Sequence, residues 1–149
     1  MYKLYPLNSY RCVGLRIVSI QKIDNKGRVS IPARVREVLG LREGMIVLLV
    51  ADVGERRITL SPFTDPEARL VEFTITLKDV PGALAKAASV LAGERIDLVF
   101  SESRTLRRGE LAEWVAIADY SKCLRTLEEV RVKLISESGV KAVKIRRLS

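Results

Sequence analysis

Residues 23–41 read IDNKGRVSIPARVREVLGL, and this stretch decides the fold of the first part of the chain. Residues 24–27 carry the polar and glycine residues of a turn. Apolar and polar residues alternate on either side of it, in residues 18–21 and 29–31. Period-two alternation around a turn predicts a short strand, a turn and a shorter strand.

The same stretch continues into a short helix. Pro32 suits the first helical position and Gly40 suits the position just past the end, so a helix of barely two turns is predicted between them. Two further strands, residues 45–52 and 57–61, follow across a glycine-containing tip. A unit this small and this rich in Ile, Val and Leu cannot cover its own sheet faces and edges, which predicts interleaving with a second copy.

The pattern of residues 23–41 resembles the signature of the AbrB/SpoVT/MazE family. The shared features are a D-x-x-G-R-[VI]-x-[IV]-P core and a short helix that ends in L-G, and the resemblance covers residues 18–61. It implies a swapped-hairpin β-barrel formed by two chains and a homodimer that binds double-stranded DNA. The paired arginines of such a dimer suit phosphate and guanine edges.

The resemblance and the surrounding charge imply DNA contacts at five basic positions: Lys22, Lys26, Arg28, Arg34 and Arg36. Arg28 matches the arginine that follows the turn glycine of the family, and Arg36 matches a helix arginine. The chain departs from the basic pattern of relatives at Gln21 and Glu37. For Lys26 and Arg34, an ordinary solvated charge is an equally good interpretation.

The second part of the chain has a different periodicity. Residues 71–78 alternate strictly, which predicts a strand with one buried face, and Pro81 opens a helix. The apolar positions of that helix are Leu84, Ala87, Ala88 and Leu91. Strands are predicted at residues 96–100 and 111–119, joined by a hairpin with a basic tip at Arg104, Arg107 and Arg108.

A second helix is predicted after this hairpin, with Gly139 as its stop and a last strand around residues 143–146. Its apolar positions are Leu124, Leu127, Val130 and Leu134. The order β-α-β-β-α-β predicts a ferredoxin-like sandwich, an antiparallel sheet with both helices on one face. The fold class expected for the whole chain is α+β, a dimeric barrel followed by this sandwich.

Residues 77–84, LKDVPGAL, resemble the D-x-P-G-x-L opening of ACT domains, and the strand and helix order matches over residues 70–148. The resemblance implies dimerisation and an amino-acid effector. The implied ligand-binding residues are Asp79, Pro81, Gly82, Ala83, Leu84 and Asp97, with Asp97 in place of an asparagine of relatives. Free N–H groups at a helix start can receive a carboxylate, and an aspartate can hold an ammonium. The alternative is that Asp79 only caps the loop and that the domain only dimerises.

The domain plan follows from a stretch with two prolines. Residues 62–69 are expected to be a linker between a DNA-binding domain at 17–61 and a ligand-binding or dimerisation domain at 70–149. Residues 1–16 form a leader of unknown role. The net charge of +8 favours polyanion partners. Residues 1–69 have 12 basic and 7 acidic side chains, against 14 and 11 in residues 70–149, so the excess leans towards the first part.

Composition argues against several other classes of protein. The chain has no histidine, and Cys12 and Cys123 are isolated, so no enzyme, metal site or cofactor is expected. No apolar run has the length of a membrane span, and the leader lacks the apolar block of a signal peptide, which favours the cytoplasm. Scarce Gln and Asn beside abundant Arg, Glu, Ile and Val are typical of a thermophile.

These observations predict a transcription regulator, a homodimer or tetramer, whose DNA binding responds to an amino acid. Two alternatives remain open. One is a non-sensing or antitoxin-like DNA-binding protein whose second domain only oligomerises. The other is the regulatory subunit of an amino-acid biosynthetic enzyme.

Overall fold

The computed structural model describes residues 16–63 and 65–148. The chain divides into two compact units between Pro66 and Glu67. The leader expected at residues 1–16 lies outside the described residues, apart from Arg16. No helix in the described ranges is long and apolar enough to cross a membrane.

The first unit contains helix α1 (Ala33–Val38) and an antiparallel hairpin of β1 (Val47–Asp52) and β2 (Arg57–Pro62). The predicted helix is confirmed, with Pro32 directly before it at φ −55°.

Helix α1 ends in a Schellman motif. The Leu41 N–H donates to the Arg36 carbonyl at 2.7 Å, and the Gly40 N–H donates to the Glu37 carbonyl at 3.2 Å. Gly40 has φ +66°, a left-handed conformation that glycine adopts without a steric penalty. The glycine expected to stop the helix therefore does so through its backbone geometry.

The strands predicted at residues 18–21 and 29–31 are not formed within the single chain. The turn between them is present, but the flanking residues have no strand assignment. Within the described chain, neither segment has a neighbouring strand along its length. Among the described residues of the first unit none is buried, and Ile20, in the middle of the first predicted strand, is 96% exposed. A strand needs a neighbour for its hydrogen bonds and a cover for its apolar face.

The second unit has the predicted order of strands and helices. Its elements are β3 (Leu70–Leu77), α2 (Ala83–Gly93), β4 (Asp97–Arg107), β5 (Leu111–Asp119), α3 (Leu127–Ser136) and β6 (Val140–Arg147). The sheet order is β4-β5-β3-β6, with every neighbouring pair antiparallel. This is the ferredoxin-like arrangement, so the α+β class and the fold predicted for this half are confirmed.

The core of the second unit lies between the sheet and its two helices. Phe73 and Ile75 on β3 are fully buried, and Ala116 and Trp114 pair with them across β5. Both helices contribute to the same cluster, with Leu91 from α2 and Val130 and Leu134 from α3 among its members. The alternation that predicted one buried face of β3 therefore gives the face that packs against the helices.

Two of the predicted helical faces need correction. Helix α2 buries Ala83, Ala87, Val90 and Leu91, whereas Leu84 is exposed and Ala88 only partly buried. Helix α3 begins later than predicted, because the Thr126 side chain accepts the Glu129 N–H and the Glu129 carboxylate accepts the Thr126 N–H, which is a capping box. Leu124 therefore precedes the helix and is 87% exposed. The helix ends at Ser136, before Gly139.

A buried carboxylate joins the two helices. Glu94, directly after α2, is only 9% exposed, and its Oε1 accepts a hydrogen bond from Lys133 Nζ on α3. It also forms an ion pair with Arg125, whose Nε lies 3.1 Å from Oε2. The hydrogen bond from Lys133 lowers the pKa of Glu94 below its ordinary value of 4.5, against the opposing effect of burial. The charges of Lys133 and Arg125 lower it further.

This pKa shift predicts an acid-sensitive contact between the helices. Because the pKa of the folded state is depressed, the stability from Glu94 is present above about pH 4.5 and is lost as the pH falls through the lower folded value. The urea concentration at the unfolding midpoint should fall between about pH 6 and about pH 3 in the wild type, and it is expected to fall less in Glu94→Gln. Glu102→Gln, an exposed change on β4, is the control. Equal pH profiles for Glu94→Gln and the wild type would refute the assignment.

Candidate nucleic-acid interface and ligand pocket

The candidate DNA contacts of the first unit centre on the turn at residues 24–28. The Gly27 N–H donates to the Asp24 carbonyl, and the Asp24 N–H donates to the Arg28 carbonyl, each at 3.0 Å. Gly27 has φ +74°, as expected at the left-handed last position of a three-residue hairpin loop. The loop therefore places the side chain of Arg28 directly after a reversal of the chain.

The Asp24 carboxylate holds this loop together. Its Oδ1 accepts the N–H groups of Lys26 and Arg28 at 2.9 Å, and its Oδ2 accepts Nε of Arg28 at 2.7 Å. The Nη2 atom of Arg28 is also 2.7 Å from Oδ2. The backbone N–H of Arg28 and then its side chain lower the pKa of Asp24, so the carboxylate is anionic at neutral pH.

Arg28 is oriented by this contact and is still accessible. Its side chain is 71% exposed. A guanidinium has five N–H donors, and Asp24 engages only the Nε and Nη2 side of the group. The remaining N–H groups face solvent in a planar fork, which is the geometry that donates to phosphate oxygens or to the O6 and N7 atoms of guanine.

The other turn candidates are exposed lysines. Lys26 is in the loop itself, and Lys22 precedes Asp24 by two residues. Beside Lys22, the Gln21 amide donates to the Ser19 hydroxyl at 2.6 Å, so the departure at Gln21 is a neutral local contact. The structure thus brings Lys26 and Arg28 together on one loop, while Lys22 lies on the segment that leads into it.

The two helix candidates do not share a face. Arg34 and Arg36 are both exposed on α1, but residues two apart on a helix are about 200° apart around its axis. Glu37 lies three residues after Arg34 and is therefore the neighbour of Arg34, not of Arg36. A flat partner surface that contacts one of these two arginines therefore cannot contact the other from the same side of the helix.

Sequence reasoning left further basic side chains outside the candidate set. Among the described residues of the unit, the exposed arginines outside that set are Arg16, Arg42, Arg56 and Arg57. Arg56 and Arg57 lie at the β1–β2 tip, where Arg56 adopts φ +51°. Their signal in the sequence is charge alone, which does not distinguish a contact from a solvated side chain.

In the second unit, a cavity of about 170 Å³ lies beside the start of α2. Lys78, Asp79 and Leu84 line it on one side, and Arg104 and Glu113 line it on the other. It therefore contains two carboxylates and two cations. The Arg104 and Glu113 side chains form a cross-strand ion pair, with Nη2 2.7 Å from Oε1.

The candidate ligand residues around α2 are partly engaged within the chain. Asp79 Oδ2 accepts the Gly109 N–H at 2.7 Å, which ties the β3–α2 loop to the tip of the β4–β5 hairpin. Pro81 has no N–H, and the Ala83 N–H donates to the Val80 carbonyl at 3.3 Å. Gly82 is the N-cap of α2 at φ +85°. At this helix start, only the N–H groups of Gly82 and Leu84 remain for a ligand from the predicted set.

Asp97 lies at the other end of the sheet. Asp97 pairs with Asp119 on β5, and Asp119 pairs in turn with Leu70, the first residue of β3. Asp79 instead lies just beyond Leu77, the last residue of β3. Seven residues of strand separate these ends by about 23 Å. Asp97 has Lys122 Nζ 3.4 Å from its Oδ2. A single chain therefore does not bring Asp79 and Asp97 to one small ligand.

Comparison with known proteins gives a family for the first unit. A family model described as antidote-toxin recognition MazE, bacterial antitoxin, matches residues 20–67. No curated protein matches the sequence significantly. Among solved structures, the C-terminal domain of the MgtC protein from Mycobacterium tuberculosis is 15% identical, covers 57% of this chain and 93% of its own, and superimposes with a TM-score of 0.45.

A second solved structure, the uncharacterized protein TM1266 from Thermotoga maritima, is 22% identical and covers 54% of this chain and 98% of its own, with a TM-score of 0.42. The architecture of the second unit rests on its own strand order and register rather than on these likenesses. The chain therefore joins an N-terminal MazE/AbrB-type domain to a C-terminal domain of ferredoxin-like βαββαβ topology.

Proposed function

We propose that this protein is a transcription regulator that binds double-stranded DNA as a homodimer through its MazE/AbrB-type domain. The observation that carries the proposal is the exposed guanidinium of Arg28, fixed by Asp24 on a tight loop within the matched residues. Because the guanidinium is already oriented before it meets DNA, its side chain loses little conformational entropy on binding, which favours a specific contact.

The exposed apolar side chains of the first unit support the dimer. They include Val18, Ile20, Ile23, Val29, Leu49, Ile58 and Leu60. So many exposed apolar side chains, on a unit that has no buried residue of its own among those described, favour a missing partner. A second copy supplies both the cover and the strand neighbours, and its two-fold symmetry presents two Arg28 loops to the two halves of a DNA site.

The test is a binding titration with the full chain. Fragments of genomic DNA are selected on the immobilised protein, and the retained fragment is titrated by fluorescence anisotropy at several salt concentrations. The logarithm of the binding constant is expected to fall linearly with the logarithm of the salt concentration, because each phosphate that the protein neutralises releases a counterion. Failure to retain any double-stranded fragment at low salt would contradict the proposal.

We further propose that the C-terminal domain senses a small amino acid. The cavity beside α2 is lined by the carboxylates of Asp79 and Glu113, which suit an ammonium, and by Lys78 and Arg104, which suit a carboxylate. A zwitterionic ligand would exchange part of the Arg104–Glu113 ion pair for contacts of its own. The cavity volume of about 170 Å³ lies below the usual range for drug-sized ligands, so a small side chain fits best. Asp97, at the far end of the sheet, is outside this arrangement.

A thermal-shift screen of the twenty amino acids tests the sensing proposal. A ligand at about a hundred times its dissociation constant stabilises the folded state by roughly 2.7 kcal/mol, which raises the midpoint of the C-terminal transition by several degrees. Asp79→Asn is expected to abolish the shift, and Asp97→Asn, at the opposite end of the sheet, is expected to retain it. No shift with any amino acid would contradict sensing and leave the DNA-binding proposal intact.

The family description supports a second candidate function. Because the model that matches residues 20–67 is described as a bacterial antitoxin, the chain is also a candidate antitoxin-like DNA-binding protein whose C-terminal domain only oligomerises or holds another protein. This candidate predicts DNA binding without any amino-acid shift. Light scattering of the full chain separates a dimer from a tetramer, in which the two domains pair with different neighbours.

A further inference from the structure

The edge strand β6 carries an uninterrupted excess of positive charge. Its sequence is VKAVKIRR, so four of its eight residues are Lys or Arg and none is acidic. The strand lies at one end of the sheet order, beside β3 only. From Lys141 to Arg147 the strand extends about 20 Å, and we call these four cations the β6 stripe: Lys141, Lys144, Arg146 and Arg147.

Three members of the β6 stripe have no carboxylate partner within the described part of the chain. Arg146 is paired with Glu72, with Nη2 2.8 Å from Oε2. Lys141, Lys144 and Arg147 are exposed and form no ion pair with a described residue. Elsewhere in the unit, four cations are neutralised: Arg104 by Glu113, Arg107 by Glu110, Arg131 by Glu128 and Lys133 by Glu94. Exposed cations without an ion pair, such as Arg95 and Arg108, lie on separate connections and not together on one strand.

Protection of the sheet edge does not by itself explain this pattern. Charged residues on an edge strand discourage pairing with other chains, and either sign serves that purpose. The opposite edge, β4, is longer and carries Asp97, Glu102, Arg104 and Arg107, a balanced set. The charges on β6 are all positive, so they create a local field that attracts a polyanion. Edge protection does not require this property.

We propose that the β6 stripe is a second DNA-contacting surface that binds the phosphate backbone without reading sequence. The proposal rests on the proposed function, since it presumes that DNA is the polyanion the chain meets. The register places Lys144 and Arg146 beside Thr74 and Glu72 on the face away from the core, and Arg147 beside Val71 on the core face, so the cations project on both sides of the sheet edge. One DNA strand carries a phosphate every 3.4 Å of rise, so an edge about 20 Å long with cations on both sides can lie along several phosphates. Exposed Lys and Arg side chains of this kind add affinity and salt dependence but no base discrimination.

The test compares two variants of the full chain with equal net charge. One replaces the unpaired cations of the stripe: Lys141→Gln, Lys144→Gln and Arg147→Gln. The matched control replaces three exposed cations elsewhere in the same unit that also form no ion pair with a described residue: Lys86→Gln, Arg95→Gln and Arg108→Gln. Salt titrations are run by anisotropy on a mixed-sequence duplex and on the fragment that the wild type selects.

The stripe variant is expected to reduce the magnitude of the log-log salt slope by about 0.9 for each lost phosphate contact, up to about 2.7 for each chain on the DNA. The loss is equal on both duplexes, and the control keeps the wild-type slope. Restoring charge with Arg at positions 141, 144 and 147 returns the slope.

Equal slopes for the stripe variant, the control and the wild type would overturn the β6 proposal while DNA binding itself stands. A loss confined to the selected fragment would also overturn it, because backbone contacts are blind to sequence. Absence of any DNA binding by the wild type would instead overturn the proposed function and this inference together, so the two failures are distinguishable.

Discussion

Arg28→Ala is expected to remove at least about 30-fold of the affinity for the selected DNA fragment. A good contact between an arginine and a base edge contributes about 1–3 kcal/mol of discrimination, and a two-fold dimer loses it twice. The loss falls on the selected fragment more than on a mixed-sequence duplex. Anisotropy titrations of both duplexes at one salt concentration measure it.

The controls for Arg28 separate its charge from its geometry. Arg57→Ala removes an equal charge from an exposed position on β2 and is expected to weaken binding only modestly. Arg28→Lys keeps the charge but loses the planar fork, so it should behave like the alanine variant on the selected fragment. An Arg28→Ala protein that still prefers the selected fragment as the wild type does would refute the assignment of this residue.

Ile20→Asp is expected to prevent assembly of the N-terminal domain and to abolish DNA binding. Burying an isoleucine contributes about 1.5–3 kcal/mol, and each dimer contains two copies, so dimerisation weakens by at least about 100-fold. The unpaired carboxylate adds to this cost. Calorimetry should show loss of the N-terminal transition while the C-terminal transition remains, because the second unit has its own core.

Leu124→Asp is the matched control for this experiment. Leu124 is exposed to a similar degree but belongs to the second unit. The variant should retain the N-terminal transition and DNA binding. In the wild type, the N-terminal midpoint should rise with protein concentration, as linkage between folding and association requires. A concentration-independent midpoint, together with normal DNA binding by Ile20→Asp, would contradict the dimer.

The sequence predicts best those features whose physical cause is local. The end of α1 at Gly40 and the alternation of β3 depend on residues within a few positions, and both agree with the structure. The start of α3 differs from the sequence prediction because apolar periodicity alone extends the helix back to Leu124, whereas the Thr126–Glu129 capping box begins it later. The T-x-x-E pattern of residues 126–129 is a local sequence signal for this helix start.

Features that depend on distant parts of the molecule could not be predicted. The tie between Asp79 and Gly109 joins residues thirty positions apart, and the separation of Asp79 from Asp97 follows from sheet order. The strands expected at residues 18–21 and 29–31 need a neighbour that one chain does not supply. For the DNA contacts, motif and charge gave the candidate residues, whereas the clamp of Asp24 on Arg28 and the divergence of Arg34 from Arg36 required three-dimensional geometry.

The lack of buried residues in the described part of the N-terminal unit has a consequence for gene dosage. When a DNA-binding domain is completed only by pairing, the dimer concentration varies as the square of the chain concentration below the dissociation constant. A twofold rise in expression then raises the amount of DNA-competent protein by about fourfold. On the proposed function, the unfinished core makes the regulator respond to its own abundance more steeply than a domain that folds alone.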